Sequence, residues 1–228
     1  MNVSRIMRRL SGMVAIAALT PLTAGAAVIY ADRTSFESQL SASITDDYSG
    51  YTGGSSTILS DAAMSAVLGE TSYRTTGFTN WNIVVASGAD YNYCSGCNGS
   101  YLLDFTTTSV GTAIGVFGVG LDIASAQNVF GTTAFVTFGD GSTANYAIPV
   151  ANAGTGDKFW GITDDLLIAS IHFGLVDGGT NTDNSIQRMA MDDLTIGAKR
   201  VPEPGTLLLI SAGLFGLQFS RRKRALKI

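Results

Sequence analysis

Three acidic doublets, one histidine and one Cys-x-x-Cys pair are the side chains of this sequence with chemistry to offer: Asp46-Asp47, Asp164-Asp165, Asp192-Asp193, His172, and Cys94 with Cys97. Glycoside hydrolysis needs two carboxyls facing each other across a cleft, one of them with a raised pKa. Neighbouring residues of a strand point to opposite faces, so the two members of a doublet cannot partner each other. Glutamate is scarce as well, with only Glu37 and Glu70 between Ala27 and Arg200. Calcium is a better use for these acids, because it takes several oxygen ligands and irregular Asp-rich loops supply them. The run from Asp177 to Asn184 is one such loop, although it lacks the EF-hand spacing. The plain alternative is that the aspartates close turns and face solvent. His172 alternates with Ile171 and Phe173, which predicts a solvent-facing side chain, and no Gly-x-Ser-x-Gly elbow accompanies it.

Cys94-Ser95-Gly96-Cys97 is flanked by Tyr91-Asn92-Tyr93 and Asn98-Gly99-Ser100, which read as a loop. Redox chemistry of the thioredoxin kind needs the pair at a helix N-terminus, and zinc needs further ligands from a chain with no other Cys and one His. A small disulfide that pins a loop tip is the expected state. Tyr91, Tyr93 and Tyr101 lie among polar residues and glycine, and exposed rings there could stack on sugars. Buried aromatics in a small β domain are the competing expectation.

The elements that would position these groups are mostly strands. Gly, Thr, Ser, Val and Ile are abundant and turn signals recur at short intervals, the pattern of an all-β, single antiparallel β-sandwich. Thr34-Ser35-Phe36-Glu37 has the form of a capping box, opening a short helix with Phe36 and Leu40 on one face. A second short helix over Ser60–Leu68, ended by Gly69, competes with a strand around Ala66–Thr71. Strands are predicted at Trp81–Ala86, Tyr101–Thr106 and Ile114–Ile123, the last with Phe117, Val119, Leu121 and Ile123 on one face. A hairpin turns at Asp140-Gly141, with Ala134, Val136 and Phe138 on one arm and Ala144, Tyr146 and Ile148 on the other. Leu167–Val176 and Gln187–Gly197 complete the set, with Ala169, Ile171, Phe173 and Leu175 inward.

The two ends of the chain are of another kind. Arg5, Arg8 and Arg9 precede an apolar run from Leu10 to Leu22, and Ala24-Gly25-Ala26 follows: a secretory signal peptide over residues 1–26, cut by signal peptidase after Ala26 or Ala27. At the other end Val201-Pro202-Glu203-Pro204 stops regular structure. The apolar run Gly205–Ser220 then follows, and Arg221-Arg222-Lys223-Arg224 closes the sequence pattern. As a helix that run would be about 24 Å long, short for a hydrocarbon core of about 30 Å. The basic block would hold the C-terminus on the cytoplasmic side. Between the ends, residues 27–198 form one domain. From Ala27 to Arg200 seventeen acids face six basic residues, so a whole-chain charge of −4 hides a body of about −11. Such a field repels phosphate backbones and excludes nucleic acid as a partner.

The order of breaker, apolar segment and basic end over residues 199–228 resembles the PEP-CTERM sorting signal of exported bacterial proteins. The resemblance implies that Val201, Pro202, Glu203 and Pro204 are read by exosortase, a membrane-embedded protease or transpeptidase. It also implies transient anchoring in the inner membrane, followed by delivery to the cell surface or outside, in cells that make extracellular polysaccharide. The body is similar to jelly-roll-like domains of such proteins, whose Phe-containing helix, long strand, aromatic-Gly turn and closing strand would correspond to Thr34–Leu40, Ile114–Ile123, Phe159-Trp160-Gly161 and Met191–Ile196. In carbohydrate-binding modules of that shape a structural calcium often joins the first and last strands, and here it would bring Asp46 or Asp47 to Asp192 or Asp193. The function expected is that of a non-catalytic surface or matrix protein that binds polysaccharide. The alternatives are a hydrolase acting on extracellular glycans and a protein-binding adhesin or assembly subunit.

Overall fold

The computed structural model describes residues 26–51, 55–77, 81–87, 90–95, 100–128, 133–149, 157–174, 179 and 187–200. The expected signal peptide, the apolar segment, Val201, Pro202, Glu203, Pro204 and Arg221–Arg224 lie outside them, as does Cys97. Among the described residues no helix is long and apolar enough to cross a membrane.

Among the described residues twelve strands and two helices follow in chain order: β1 (Val28–Tyr30), α1 (Arg33–Glu37), β2 (Leu40–Asp46), a 3₁₀ turn (Ser49–Tyr51), β3 (Ser56–Leu59), α2 (Asp61–Leu68), β4 (Ser72–Thr75), β5 (Asn82–Ser87), β6 (Asp90–Ser95), β7 (Tyr101–Asp104), β8 (Val116–Asn128), β9 (Thr133–Phe138), β10 (Thr143–Ala147), β11 (Lys158–Gly174) and β12 (Gln187–Lys199). Every pairing is antiparallel. The two separate sheets expected of a sandwich are one curled sheet of order β10-β9-β11-β8-β12-β6-β5-β3, with β1, β2, β4 and β7 branching from it. The long strands cause this. Lys158–Thr163 of β11 pair with β8, while Ile168–Gly174 pair with β9 and Ser170–Phe173 also with β7. The partner changes between Thr163 and Ile168, and a register shift follows between Ile168 and Ser170 within the β9 pairing. β12 likewise joins β6 through Ala190 and Met191 and β2 through Leu194–Lys199.

The curl encloses one core. Val119, Leu121 and Ile123 of β8 meet Trp160 and Ile162 of β11, Ile196 of β12, and Val136 of β9. The hairpin and its inward residues match the expectation, with Ala134 and Val136 fully buried. Phe117 departs from it, because Val116 enters the core and Phe117 joins a second cluster on the outer face with Phe36, Leu40 and Phe159. That cluster is the seat of α1. Gly118, Gly120 and Gly161 leave the sheet bare where the Phe36 ring lies, and a Cβ on Gly120 would come within 2.7 Å of it.

Both helices form, but Leu40 opens β2 instead of sharing a helix face with Phe36, α2 is found where a strand was the competing expectation, and the cap of α1 changes. The Asp32 side chain, not Thr34, accepts the Ser35 N–H at 2.8 Å, and Glu37 pairs with Arg33 rather than closing a capping box. α2 is capped by Ser60 and ends at Gly69 with φ 76°, a left-handed conformation that glycine adopts without steric cost. Two further expectations fail. Phe159-Trp160-Gly161 is part of β11, not a turn, because Trp160 finds core on one side and Gly161 leaves room for Phe36 on the other. Tyr91-Asn92-Tyr93 is strand β6, not loop, since its edges pair with β5 and β12.

Candidate functional site

The register of the last strand brings two of the acidic doublets to one region. Leu194 of β12 faces Asp46 of β2, and Asp192 faces Asp122 of β8. A second register shift falls between Asp192 and Thr195, where Asp193 takes φ 47°. The Asp46-Asp47 and Asp164-Asp165 doublets nevertheless split, one member buried and one exposed. Asp46 is buried and Asp47 exposed; Asp164 is buried and Asp165 faces solvent.

Asp46 points into the core. Its Oδ2 accepts hydrogen bonds from the hydroxyls of Tyr51 at 2.5 Å and Tyr73 at 2.8 Å, and its Oδ1 accepts the Tyr48 N–H at 3.2 Å. Burial raises its pKa above the usual carboxylate range, and these three donors work against that rise. The tyrosines belong to a continuous aromatic stack. Tyr48 contacts Tyr51, Tyr73 and Tyr93, Tyr93 contacts Tyr101, and Tyr101 contacts Phe173, which meets Trp160. Tyr93 and Tyr101, expected as sugar-stacking side chains, are therefore core residues with no exposed face. The burial follows from their strands, whose inward positions they occupy. Tyr91 packs half-buried at the edge of the same cluster, and Trp81 is the exposed large aromatic of the described residues.

Asp192 has different neighbours. Its Oδ1 accepts the Asp193 N–H at 2.7 Å. Burial, and then the Asp90 carboxyl hydrogen-bonded to it, push its pKa up to about 8. Asp193 and Asp157 are raised too, chiefly by burial, with Asp90 and Asp122 adding their charge to both. Among the described residues Arg33 is the cation at this patch. Arg33 of α1 reaches over the Phe159 ring and donates to Asp122 Oδ2 at 2.9 Å, Thr195 Oγ1 at 2.8 Å and the Asp193 carbonyl at 3.0 Å. Its charge lowers the Asp193 pKa against the prevailing rise.

These donor sets do not suit the calcium expected between the first and last strands. The Asp46 oxygens are taken by tyrosines, Asp192 by a neighbouring N–H and a second carboxyl, and Arg33 already fills the space a cation would neutralise. Among the described residues no group of three or more His, Cys, Asp or Glu is placed to hold a metal ion. Asp47 binds the N–H and hydroxyl of Ser49, Asp140 those of Ser142, and Asp104 those of Thr106, so much of the acid serves turns. Glu70 is held by Thr108 and Ser109, and Glu37 by Arg33.

His172 is buried, contrary to expectation, with its Nε2 2.6 Å from the Thr76 hydroxyl. Thr76, just past the end of β4, stands against the ring at this outward position. Cys94 is buried in β6.

The other candidate site is the place where the chain leaves the fold. β12 runs to Lys199, and the Arg200 N–H still bonds the Gln39 carbonyl at 2.9 Å. Lys199 lies over the Phe117 ring and pairs with Asp165. Ala26, Val28, Tyr30, Gln39, Phe117 and Lys199 line a shallow groove of about 210 Å³ at this point. Both described ends of the chain thus meet at one pole.

Comparison with known proteins identifies that exit. The family described as PEP-CTERM protein-sorting motif matches residues 200–224. No curated protein and no solved structure matches the chain.

Proposed function

We propose that this chain is the precursor of an exported, non-catalytic surface protein whose body, residues 27–198, is delivered by its C-terminal sorting signal. The carrying observation is the placement of that signal. The matched residues begin at Arg200, one position after the last strand ends, so recognition elements sit directly on the folded body. Exosortase reads Val201, Pro202, Glu203 and Pro204 just outside the bilayer. Residues 205–220 hold the tail in the membrane until it is cut, and Arg221, Arg222, Lys223 and Arg224 keep its end on the cytoplasmic side. Signal peptidase removes residues 1–26. In the oxidising compartment beyond, Cys94 closes a disulfide with Cys97.

A non-catalytic role is supported by the employment of the acids. Both body glutamates and most aspartates of the described residues hold turns, tyrosines or Arg33. Polysaccharide binding loses the buried Tyr93 and Tyr101, and rests on Trp81 and Tyr91 alone.

Intact-mass measurement of the protein from cells that make it tests the assignment. The expected mature form lacks residues 1–26 and the apolar tail, and its mass is lower by two hydrogens for the disulfide. The triple variant Pro202→Ala, Glu203→Ala, Pro204→Ala should keep the tail and stay with the membrane fraction. A wild-type product retaining residues 205–228 outside the cell would refute it.

A further inference from the structure

Removal of the signal peptide gives the body a charge that the precursor lacks. Hydrolysis of the bond between Ala26 and Ala27 adds one water. Ala26 keeps a carboxylate, which departs with residues 1–26, and the nitrogen of Ala27 becomes a free amine that takes a proton at neutral pH. The fold fixes where that nitrogen stands. β1 begins one residue later, with Val28 opposite Thr163 of β11, and the Tyr30 hydroxyl lies 3.3 Å from Thr163 Oγ1. Ala27 itself packs half-buried against the main core. Continuing the β1–β11 register sets Ala27 opposite Asp164 and Ala26 opposite Asp165.

Asp164 is the acid suited to receive the new charge. It is 5% exposed, and its one hydrogen bond among the described residues comes from the Leu166 N–H to Oδ1 at 2.7 Å. Among the described residues no lysine or arginine pairs with it, whereas Asp165 is already held by Lys199. A buried carboxylate without a counter-charge is costly, and an ammonium group offsets that cost. Opposite residues of an antiparallel pair have Cβ atoms about 4.5–5.5 Å apart, close enough for a terminal nitrogen to reach the facing side chain. Ala26, Asp164 and Asp165 line one groove, so the place is open toward the bond that is cut. The other titratable groups around it are Tyr30, Lys199 and Tyr146 of β10, whose pKa is raised by burial and then by the Asp164 charge.

We propose that Asp164 is the docking site of the α-ammonium group that signal-peptide removal creates on Ala27. The inference rests on the processing proposed above. In the precursor the same nitrogen is a neutral peptide N–H, so the ion pair forms only in the processed protein and pins β1 to β11 more firmly after the cut than before it.

Acetylation of the processed protein, isolated from cells that make it, tests the site. Brief exposure to acetic anhydride over a range of pH, followed by mass spectrometry of the tryptic peptide Ala27–Arg33, reads both the N-terminal residue and the pKa of its amino group. A free α-amino group titrates at about 7.7–8.0, and pairing with Asp164 should put it at about 9 or above. Asp164→Asn should return it to about 8. Asp165→Asn removes a carboxyl already paired with Lys199 and should leave it at about 9. A wild-type value near 8, a value unchanged by Asp164→Asn, or dependence on Asp165 instead overturns the docking alone. The wild-type value decides by itself where Asp164→Asn does not fold. A protein that starts elsewhere than at Ala27 overturns the docking together with the cut after Ala26.

Discussion

Tyr73 donates a 2.8 Å hydrogen bond to Asp46 across 27 positions of chain, and Tyr51 donates to the same oxygen at 2.5 Å. A single buried carboxyl thus ties β2, the turn after it and β4 together. Truncation to alanine orphans the Tyr51 hydroxyl and leaves Tyr73 only its 3.3 Å contact with the Tyr48 hydroxyl, at about 1–3 kcal/mol for a buried group left unsatisfied. Asp46→Ala should lose about 2–4 kcal/mol in urea denaturation, Asp46→Asn less, and Tyr73→Phe about 1–2 kcal/mol. In the Asp46→Ala background Tyr73→Phe should cost almost nothing, and a full additive loss would disprove the coupling.

Tyr101 supplies the contrast. Its hydroxyl is buried without a hydrogen-bond partner among the described residues, in the same aromatic stack. Removing an unsatisfied buried polar atom relieves its desolvation cost while the ring contacts remain. Tyr101→Phe should leave the denaturation midpoint unchanged or raise it, by up to about 1 kcal/mol of stability. A loss comparable to that of Tyr73→Phe would reveal a partner for the hydroxyl.

Gly120 tests the seat of α1. Its added Cβ would stand 2.7 Å from both the Phe36 and the Phe159 rings. Overpacking of this kind costs about 1–3 kcal/mol. Gly120→Ala should lower the melting temperature, and combining it with Phe36→Leu should cost less than the two changes added. Strict additivity would mean that the helix does not lie where the glycines leave room.

Much of this was legible in the sequence where periodicity and local signals agree. The hairpin at Asp140-Gly141, the Ser60 cap, the Gly69 stop and the sorting signal each announce themselves within a few residues. What was hidden is non-local. Tyr93 and Tyr101 read as exposed because their sequence neighbours are polar, yet strands far away in sequence bury them. His172 alternates as an outward residue, but Thr76, 96 positions away, stands against its ring on that face. The role of Arg33 left no trace in local pattern, since its partners Asp122 and Asp193 are 89 and 160 positions away.

Calcium supplies a direct check on the acidic patch. Because Arg33 occupies the patch and Asp46 is committed to tyrosines, adding calcium should leave the melting temperature within about 1 °C, as should chelator. A site with millimolar or better affinity would raise it with concentration by mass action. A rise of several degrees would therefore show that the carboxylates can be drawn together around an ion.

The raised carboxyls fix the sign of the pH dependence. Asp192, at about 8, and Asp46, Asp157 and Asp193, all above their ordinary values, bind protons more tightly in the folded state than in the unfolded chain. Between about pH 4 and 8 the folded protein holds more protons, so stability falls as pH rises through this window. Asp32, Asp47, Glu70 and Asp140 are shifted downward and act oppositely, but only as pH falls below about 4, where they too become protonated. The maximum should thus lie near pH 4–5.5. The melting temperature should be lower at pH 8.5 than at pH 5.5 by at least about 3 °C, the equivalent of about 1 kcal/mol in a body this size. Asp192→Asn imitates the protonated carboxyl beside Asp90 and should flatten that slope, gaining stability at pH 8.5 and little at pH 5.5. A variant as pH-sensitive as the wild type would place the excess proton elsewhere than on the Asp90–Asp192 pair.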